Sequence, residues 1–145
     1  MSNCCSNNSS QSTSQNCSQC GQFCKRVEMR TIYHQVRFPD NQAIAPGIYY
    51  FCAAKECTTG YFSITGSIIP KQNLTVHKDI MDDRLCYCFD IDAAQYRSAL
   101  IDNTADGIKS FIIQKTKSGD CACDIRNPCG QCCLAKFNQL EKEYR

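Results

Sequence analysis

Thiols dominate the chemistry open to this chain. Fourteen of its 145 residues are cysteine, and five of those fall in residues 121–134, reading CACDIRNPCGQCCL. Pro128 presets φ for the second position of a turn and biases Asn127 toward an extended backbone, while Gly130 accepts a conformation that other residues resist. The chain therefore reverses over 127–130. Reversal carries Cys121 or Cys123 back toward Cys132 or Cys133, so one loop offers two thiolates. A four-thiolate site needs two more, and the CYC pair Cys86 and Cys88 is the most concentrated remaining supply. CxC pairs followed after roughly thirty residues by further cysteines occur in [2Fe-2S] proteins, whereas zinc sites more often use CxxC. The first expectation is an iron–sulfur cluster, whose chemistry is one-electron transfer.

A second set lies earlier. Cys17 and Cys20 stand at CxxC spacing and are followed at once by Gly21. That is the zinc-knuckle pattern, in which a tight turn aims backbone N–H groups at two sulfurs and glycine relieves the crowding. Cys52 and Cys57 supply a Cx4C pair, and the two pairs together form the set a zinc ribbon uses to clamp two hairpins on one tetrahedral ion. Zinc has no redox chemistry, so this site fixes a fold. Cys24, just beyond the knuckle, is an alternative ligand.

Compartment decides between metals and disulfides. The N-terminus, MSNCCSNNSSQSTSQ, has neither a basic nor an apolar signal region, and no apolar run approaches a membrane span. A reducing cytoplasm is expected, where clustered cysteines are more often metal ligands than disulfides. The formal charge is +2. Each loaded four-thiolate site leaves about −2, which makes the loaded protein mildly acidic and argues against nucleic-acid binding through bulk charge. No Ser-His-carboxylate arrangement and no phosphate loop is present. The two histidines read as a packing or surface residue (His34) and a solvated one (His77).

The elements that must position these thiols form an α+β chain: a small zinc-ribbon-like antiparallel β half followed by a helical half. Residues 1–15 form a polar tail too poor in apolar side chains to order itself, with Cys4 and Cys5 as a thiol pair. A β subdomain over 16–80 follows, then a cluster-binding subdomain over 81–145. IYYFC (48–52) and GYFSIT (60–65) read as strands, with SIIP and LTV as shorter pieces. Their aromatics suit core packing better than base stacking. VEMRTIYHQVRF is ambiguous between strand and helical turn, and HKDIMDDR reads as linker. Asp92 caps a helix carrying Ala93, Tyr96 and Leu100. A second helix starts at Thr104, with Ile108, Phe111, Ile112 and Lys115 on one face, and stops before Gly119. A last one begins near Cys132 or Cys133 and carries Leu134, Phe137 and Leu140. Cys88 thus precedes one predicted helix and Cys133 begins another, so both helix N-termini would face the cluster.

The ordered combination of Cys17-Ser-Gln-Cys20-Gly, YYFC followed by EC and GYFS, CYCF, and CACDIRNPCGQCCL closely resembles the N-terminal domain of the CopZ-type copper chaperones, over residues 17 to about 140. The resemblance implies a mononuclear zinc on Cys17, Cys20, Cys52 and Cys57. It implies a [2Fe-2S] cluster on Cys86, Cys88, Cys123 and Cys133, in a half similar to bacterioferritin-associated ferredoxin. It further implies copper handling, such as reduction of Cu(II) to Cu(I), with Cu(I) as a ligand. The implied partners are an electron donor or acceptor protein and a separate copper-chaperone domain or exporter. Cys24, Cys121, Cys129 and Cys132 depart from the pattern. The family's full-length members also carry a second domain with an MxCxxC copper loop, which is not in these residues. The rival reading is a non-redox two-zinc interaction module, and a third is a secreted disulfide protein.

Overall fold

The computed structural model of the protein describes residues 14–144. Cys4, Cys5 and most of the expected polar tail lie outside them. Ser14 and Gln15, the tail's last two residues, belong to the first strand, β1 (Ser14–Asn16), which pairs with β2 (Phe23–Val27). β3 (Tyr49–Phe51), β4 (Thr59–Ser63) and β5 (Ile68–Pro70) complete a five-stranded antiparallel sheet in the order β1-β2-β3-β4-β5.

Every residue of β3 and β4 is buried. Side chains alternate across a strand, so the aromatic run is shared between two faces. Tyr49, Phe51 and Tyr61 pack with Val27, Ile32, Val36 and Leu74 on one side. Tyr50 and Phe62 pack with Cys17, Cys24 and Cys52 on the other. The register places Tyr50 opposite Phe62 and Phe51 opposite Tyr61, with ring centroids 5.6 and 5.4 Å apart. Burying each ring contributes about 1.5–3 kcal/mol, which makes the aromatic pairs the support on which the cysteine-bearing face rests.

The ambiguous VEMRTIYHQVRF stretch divides into the end of β2 and a helix, α1 (Met29–Gln35). The expected LTV strand reduces to one bridge between Leu74 and Val36, and the expected linker contains a short helix, α2 (His77–Met81). β6 (Arg84–Cys86) and β7 (Ile91–Asp92) then form a two-stranded ribbon. Asp92 caps α3 (Ala93–Asp102) through a capping box: its carboxylate accepts from the Gln95 N–H at 2.8 Å, and the Gln95 side chain accepts from the Asp92 N–H at 3.0 Å. α4 (Ala105–Lys117), α5 (Cys123–Arg126) and α6 (Leu134–Tyr144) follow. Their core holds Leu85, Tyr96, Ile112, Phe137 and Leu140 together with Cys86, Cys123 and Cys133. Tyr96 meets Phe137 edge to face at 4.7 Å, and its hydroxyl donates to Glu141 at 2.5 Å. The fold is α+β, as expected. Among the described residues no helix is long and apolar enough to cross a membrane.

The two halves meet through a dense seam between α1, β4 and the α5 turn, and also at the Lys55–Asp83 ion pair, 3.3 Å. Thr31 and Gln35, one turn apart on α1, are both buried. The Thr31 hydroxyl donates to the Asp124 carbonyl, and the Gln35 amide donates to the carbonyls of Ile125 and Arg126 at 2.7 and 2.9 Å. The buried Tyr61 hydroxyl donates to the Pro128 carbonyl at 2.5 Å, and Arg30 pairs with Asp124 at the rim. Four carbonyls at the end of a short helix and its following turn, those of Asp124, Ile125, Arg126 and Pro128, are thereby satisfied by side chains of the β half.

Candidate metal centres

The first centre lies on the cysteine-bearing face of the sheet. Cys17 follows β1, and the turn closes with Cys17 N–H to the Gln22 carbonyl and Gly21 N–H to the Cys17 carbonyl, both 2.8 Å. Gly21 takes φ +79°, where a side chain would be strained, and the Gln19 N–H points at the Cys17 sulfur at 3.4 Å. Cys52 directly follows β3 and donates its N–H to the Gly60 carbonyl at 2.9 Å, while Cys57 sits in the connection to β4. This architecture converges four sulfurs: Cys17 to Cys57 is 3.9 Å, Cys20 to Cys52 is 3.5 Å, and all lie within 4.8 Å of one another. Four thiolates bound at about 2.3 Å to a tetrahedral ion stand about 3.8 Å apart. The donor set therefore fits one zinc ion.

Electrostatics point the same way. Burial raises the Cys57 thiol, but the Thr59 N–H and hydroxyl and the sulfurs of Cys20 and Cys52 outweigh it and bring the pKa down to about 7. Burial, reinforced by the Cys20 sulfur, pushes Cys52 up. Sulfurs this close compete to ionise, and four thiolates coexist only around a cation.

Lys71 is a residue that sequence reading passed over, because a lysine after proline looks solvated. It is buried, and its ammonium donates to the carbonyls of Cys57 at 2.8 Å and Thr59 at 2.6 Å while lying 5.9 Å from the Phe51 ring centroid. It pins the Cys57 loop and places a positive charge beside a site that carries about −2 when loaded. Lys71→Met leaves two carbonyls without this donor, at about 1–3 kcal/mol each. The expected result is zinc release to a chelator at least about tenfold faster than from wild type, read with a zinc-sensitive dye; an unchanged rate would show that the loop holds itself.

The second group gathers at the helical core. Cys86 ends β6, Cys88 follows in the loop, Cys123 opens α5, and Cys133 precedes α6. Cys86, Cys123 and Cys133 are 1–2% exposed. Cys88 lies 3.7 Å from Cys123, sulfur to sulfur; Cys86 contacts Cys133, and Cys133 in turn contacts Cys123. The Phe89 N–H reaches the Cys86 sulfur at 3.3 Å, and the Ala122 N–H the Cys88 sulfur at 3.1 Å. The Cys133 sulfur holds the Cys86 thiol down at about 7, whereas Cys123 drives both Cys88 and Cys133 upward.

The flanking cysteines separate from this group. Cys129 turns its thiol to the Asn127 amide oxygen at 3.1 Å and packs on the core under the sheet. Cys132 is disulfide-bonded. Cys121 is half-buried at the edge of the helical core. The turn forms as expected, with Gly130 N–H to the Asn127 carbonyl at 2.7 Å and Gly130 at φ +71°. The helix ends differ from expectation. Cys88 is separated from α3 by β7, and the third thiol instead sits within the one-turn α5. His34 is exposed and His77 half-buried at the start of α2.

Comparison with known proteins adds to this geometry. Residues 14–75 match a family model of the CopZ type described as a zinc binding domain. That segment contains all four sulfurs of the first centre, and the match and the four-sulfur site together support zinc as its metal. No curated protein matches the chain. The chain is similar to the X-ray structure of the Archaeoglobus fulgidus CopZ N-terminal domain, with a TM-score of 0.68 and 23% identity over 88% of this chain and 98% of that one. The likeness shows that both halves share that domain's fold.

Proposed function

We propose that this protein holds one zinc ion on Cys17, Cys20, Cys52 and Cys57 and one [2Fe-2S] cluster on Cys86, Cys88, Cys123 and Cys133. In this reading it carries single electrons in the handling of copper or a related metal in the cytoplasm. The β half, 16–80, is the zinc unit and the helical half, 81–145, the cluster unit. The observation that carries the cluster reading is the contrast between the two sulfur groups. Among the described residues only the first has all its sulfurs within 4.8 Å. The second is a pair of close contacts, Cys88 with Cys123 and Cys86 with Cys133, joined through Cys123 and Cys133. A more open, two-pair arrangement suits a two-iron core better than one tetrahedral ion.

When bound, the cluster supplies reversible one-electron chemistry. The chain's own residues set its conditions. The Phe89 and Ala122 N–H groups aimed at sulfur favour the more negative, reduced state, and so raise the potential. Tyr96, Phe137 and Leu85 exclude water from the buried side. Half-buried Cys88 leaves one edge near solvent. One electron leaving the reduced protein converts Cu(II) to Cu(I), the form that thiolates bind best; a separate copper-chaperone domain or an exporter then takes the ion. The CopZ likeness supports the copper assignment.

Anaerobically purified full-length protein is expected to contain iron and zinc at about two to one, with matching sulfide, visible sulfide-to-iron absorption and a radical signal on reduction. Colourless protein with two zinc ions and no iron would overturn the reading in favour of a two-zinc interaction module.

A further inference from the structure

The zinc-type centre has a fifth sulfur. Cys24, in β2, is 2% exposed and packs in the same cluster as Cys17 and Cys52, with Cys57 against it. Its thiol donates to the Gln22 carbonyl at 3.2 Å within the knuckle turn, and its sulfur is in contact with that of Cys52. Cys20, the ligand beside Cys52 at 3.5 Å, is by contrast exposed. The five sulfurs are therefore unequal. One of the four converging ligands stands in solvent, and a sheltered thiol lies behind the ligand next to it.

We infer that Cys24 is a reserve zinc ligand, which takes the fourth position when the exposed Cys20 dissociates. The inference rests on the zinc reading above. The exchange is balanced without any redox partner: a zinc–sulfur bond to Cys20 breaks, one to Cys24 forms, and the proton of the Cys24 thiol passes to the departing Cys20 thiolate directly or through water. Charge and coordination number are the same before and after the exchange, so the ion ends as it began, on four sulfurs. A small apolar filler needs no place within reach of a ligand sulfur and no polar anchor on the knuckle. Cys24 has both. Its Gln22 partner belongs to the same turn that presents Cys20, so movement of that turn frees the thiol as it withdraws the ligand.

The test uses the full chain purified anaerobically, with zinc content by metal analysis, donor type by zinc X-ray absorption, and release to a chelator. Cys20→Ser is expected to keep one zinc per chain with four sulfur donors at about 2.3 Å. Cys20→Ser with Cys24→Ala is expected to show three sulfurs and one lighter donor, and to release zinc at least about tenfold faster than Cys20→Ser. Cys24→Ala alone should keep one zinc with four sulfur donors, since Cys20 is intact, and release it to the chelator faster than wild type. Three sulfurs and a lighter donor already in Cys20→Ser would overturn the inference while leaving the zinc assignment intact. Absence of zinc from the wild-type protein would instead sink the zinc assignment itself. The donor count in Cys20→Ser decides the matter alone, so the outcome does not depend on whether the double variant folds.

Discussion

Replacing Cys17 and Cys57 together by serine is expected to strip the protein of zinc and iron alike, whereas Cys88→Ser should remove iron and leave zinc in place. The asymmetry follows from which half holds which. Removing two ligands exceeds what a single spare thiol can restore. A structural zinc site contributes about 10–16 kcal/mol of apparent binding free energy, against a total stability of about 5–15 kcal/mol for a domain of this size. The turns that carry Cys17 and Cys57 flank β1, β3 and β4, so their loss disorders the sheet. With the sheet goes Tyr61, and with α1 go Thr31 and Gln35, the donors that satisfy the carbonyls after Cys123. The reverse path is weaker. Cys88 sits in a loop, and the sheet's two apolar clusters contain no residue of the CYC segment. Metal analysis and far-UV circular dichroism of both variants check the order. A double variant that keeps its iron would show that the helical half stands alone.

The parts of this molecule that follow local rules were legible, and the parts set by distant partners were not. The aromatic strands could be read because alternating aromatic residues flanked by cysteines have few other uses. The Asp92 helix could be read because aspartate followed three residues later by glutamine is a self-contained capping signal. α1 was ambiguous because Val27, Thr31, Ile32, Tyr33 and Val36 are β-branched or aromatic and favour strand locally. It is a helix because Ile32 and Val36 fill the core under the sheet while Thr31 and Gln35, four apart, reach the α5 carbonyls. That demand comes from residues some ninety positions away and leaves no mark on the local pattern. For the same reason, spacing alone left Cys132 and Cys133 as alternatives: adjacent side chains diverge, and only the packed core shows that Cys133 turns inward, 2% exposed, against Cys86. Cys24 likewise read as a competitor for a ligand position. Only the folded sheet shows Cys24 packed beside the four converging sulfurs and not among them.

The seam itself makes the second large prediction. Gln35→Leu combined with Tyr61→Phe keeps volume and removes three hydrogen bonds, to the carbonyls of Ile125, Arg126 and Pro128. The cost falls on those acceptors and not on the glutamine, whose own Oε1 is buried without a partner. Each orphaned buried acceptor costs about 1–3 kcal/mol, so the pair should destabilise by roughly 3–6 kcal/mol after allowing for coupling between neighbours. The strain is directed at one loop. The Asn127 to Gly130 turn is fixed from one side by α1, since a Cβ on Gly130 would stand 3.2 Å from the Thr31 hydroxyl, and from the other by the Tyr61 bond. Freed of that bond and of Gln35, the turn no longer dictates the separation of Cys123 and Cys133. Iron should then pass to a chelator at least about tenfold faster than from wild type, with zinc content and zinc X-ray absorption unchanged. Tyr33→Ala on the exposed side of α1 should leave both metals as they were. If the double variant and Tyr33→Ala retain iron equally well, α1 only covers the loop and does not hold it. If the double variant alone lets iron go, the β half sets the geometry of a centre to which it contributes no ligand.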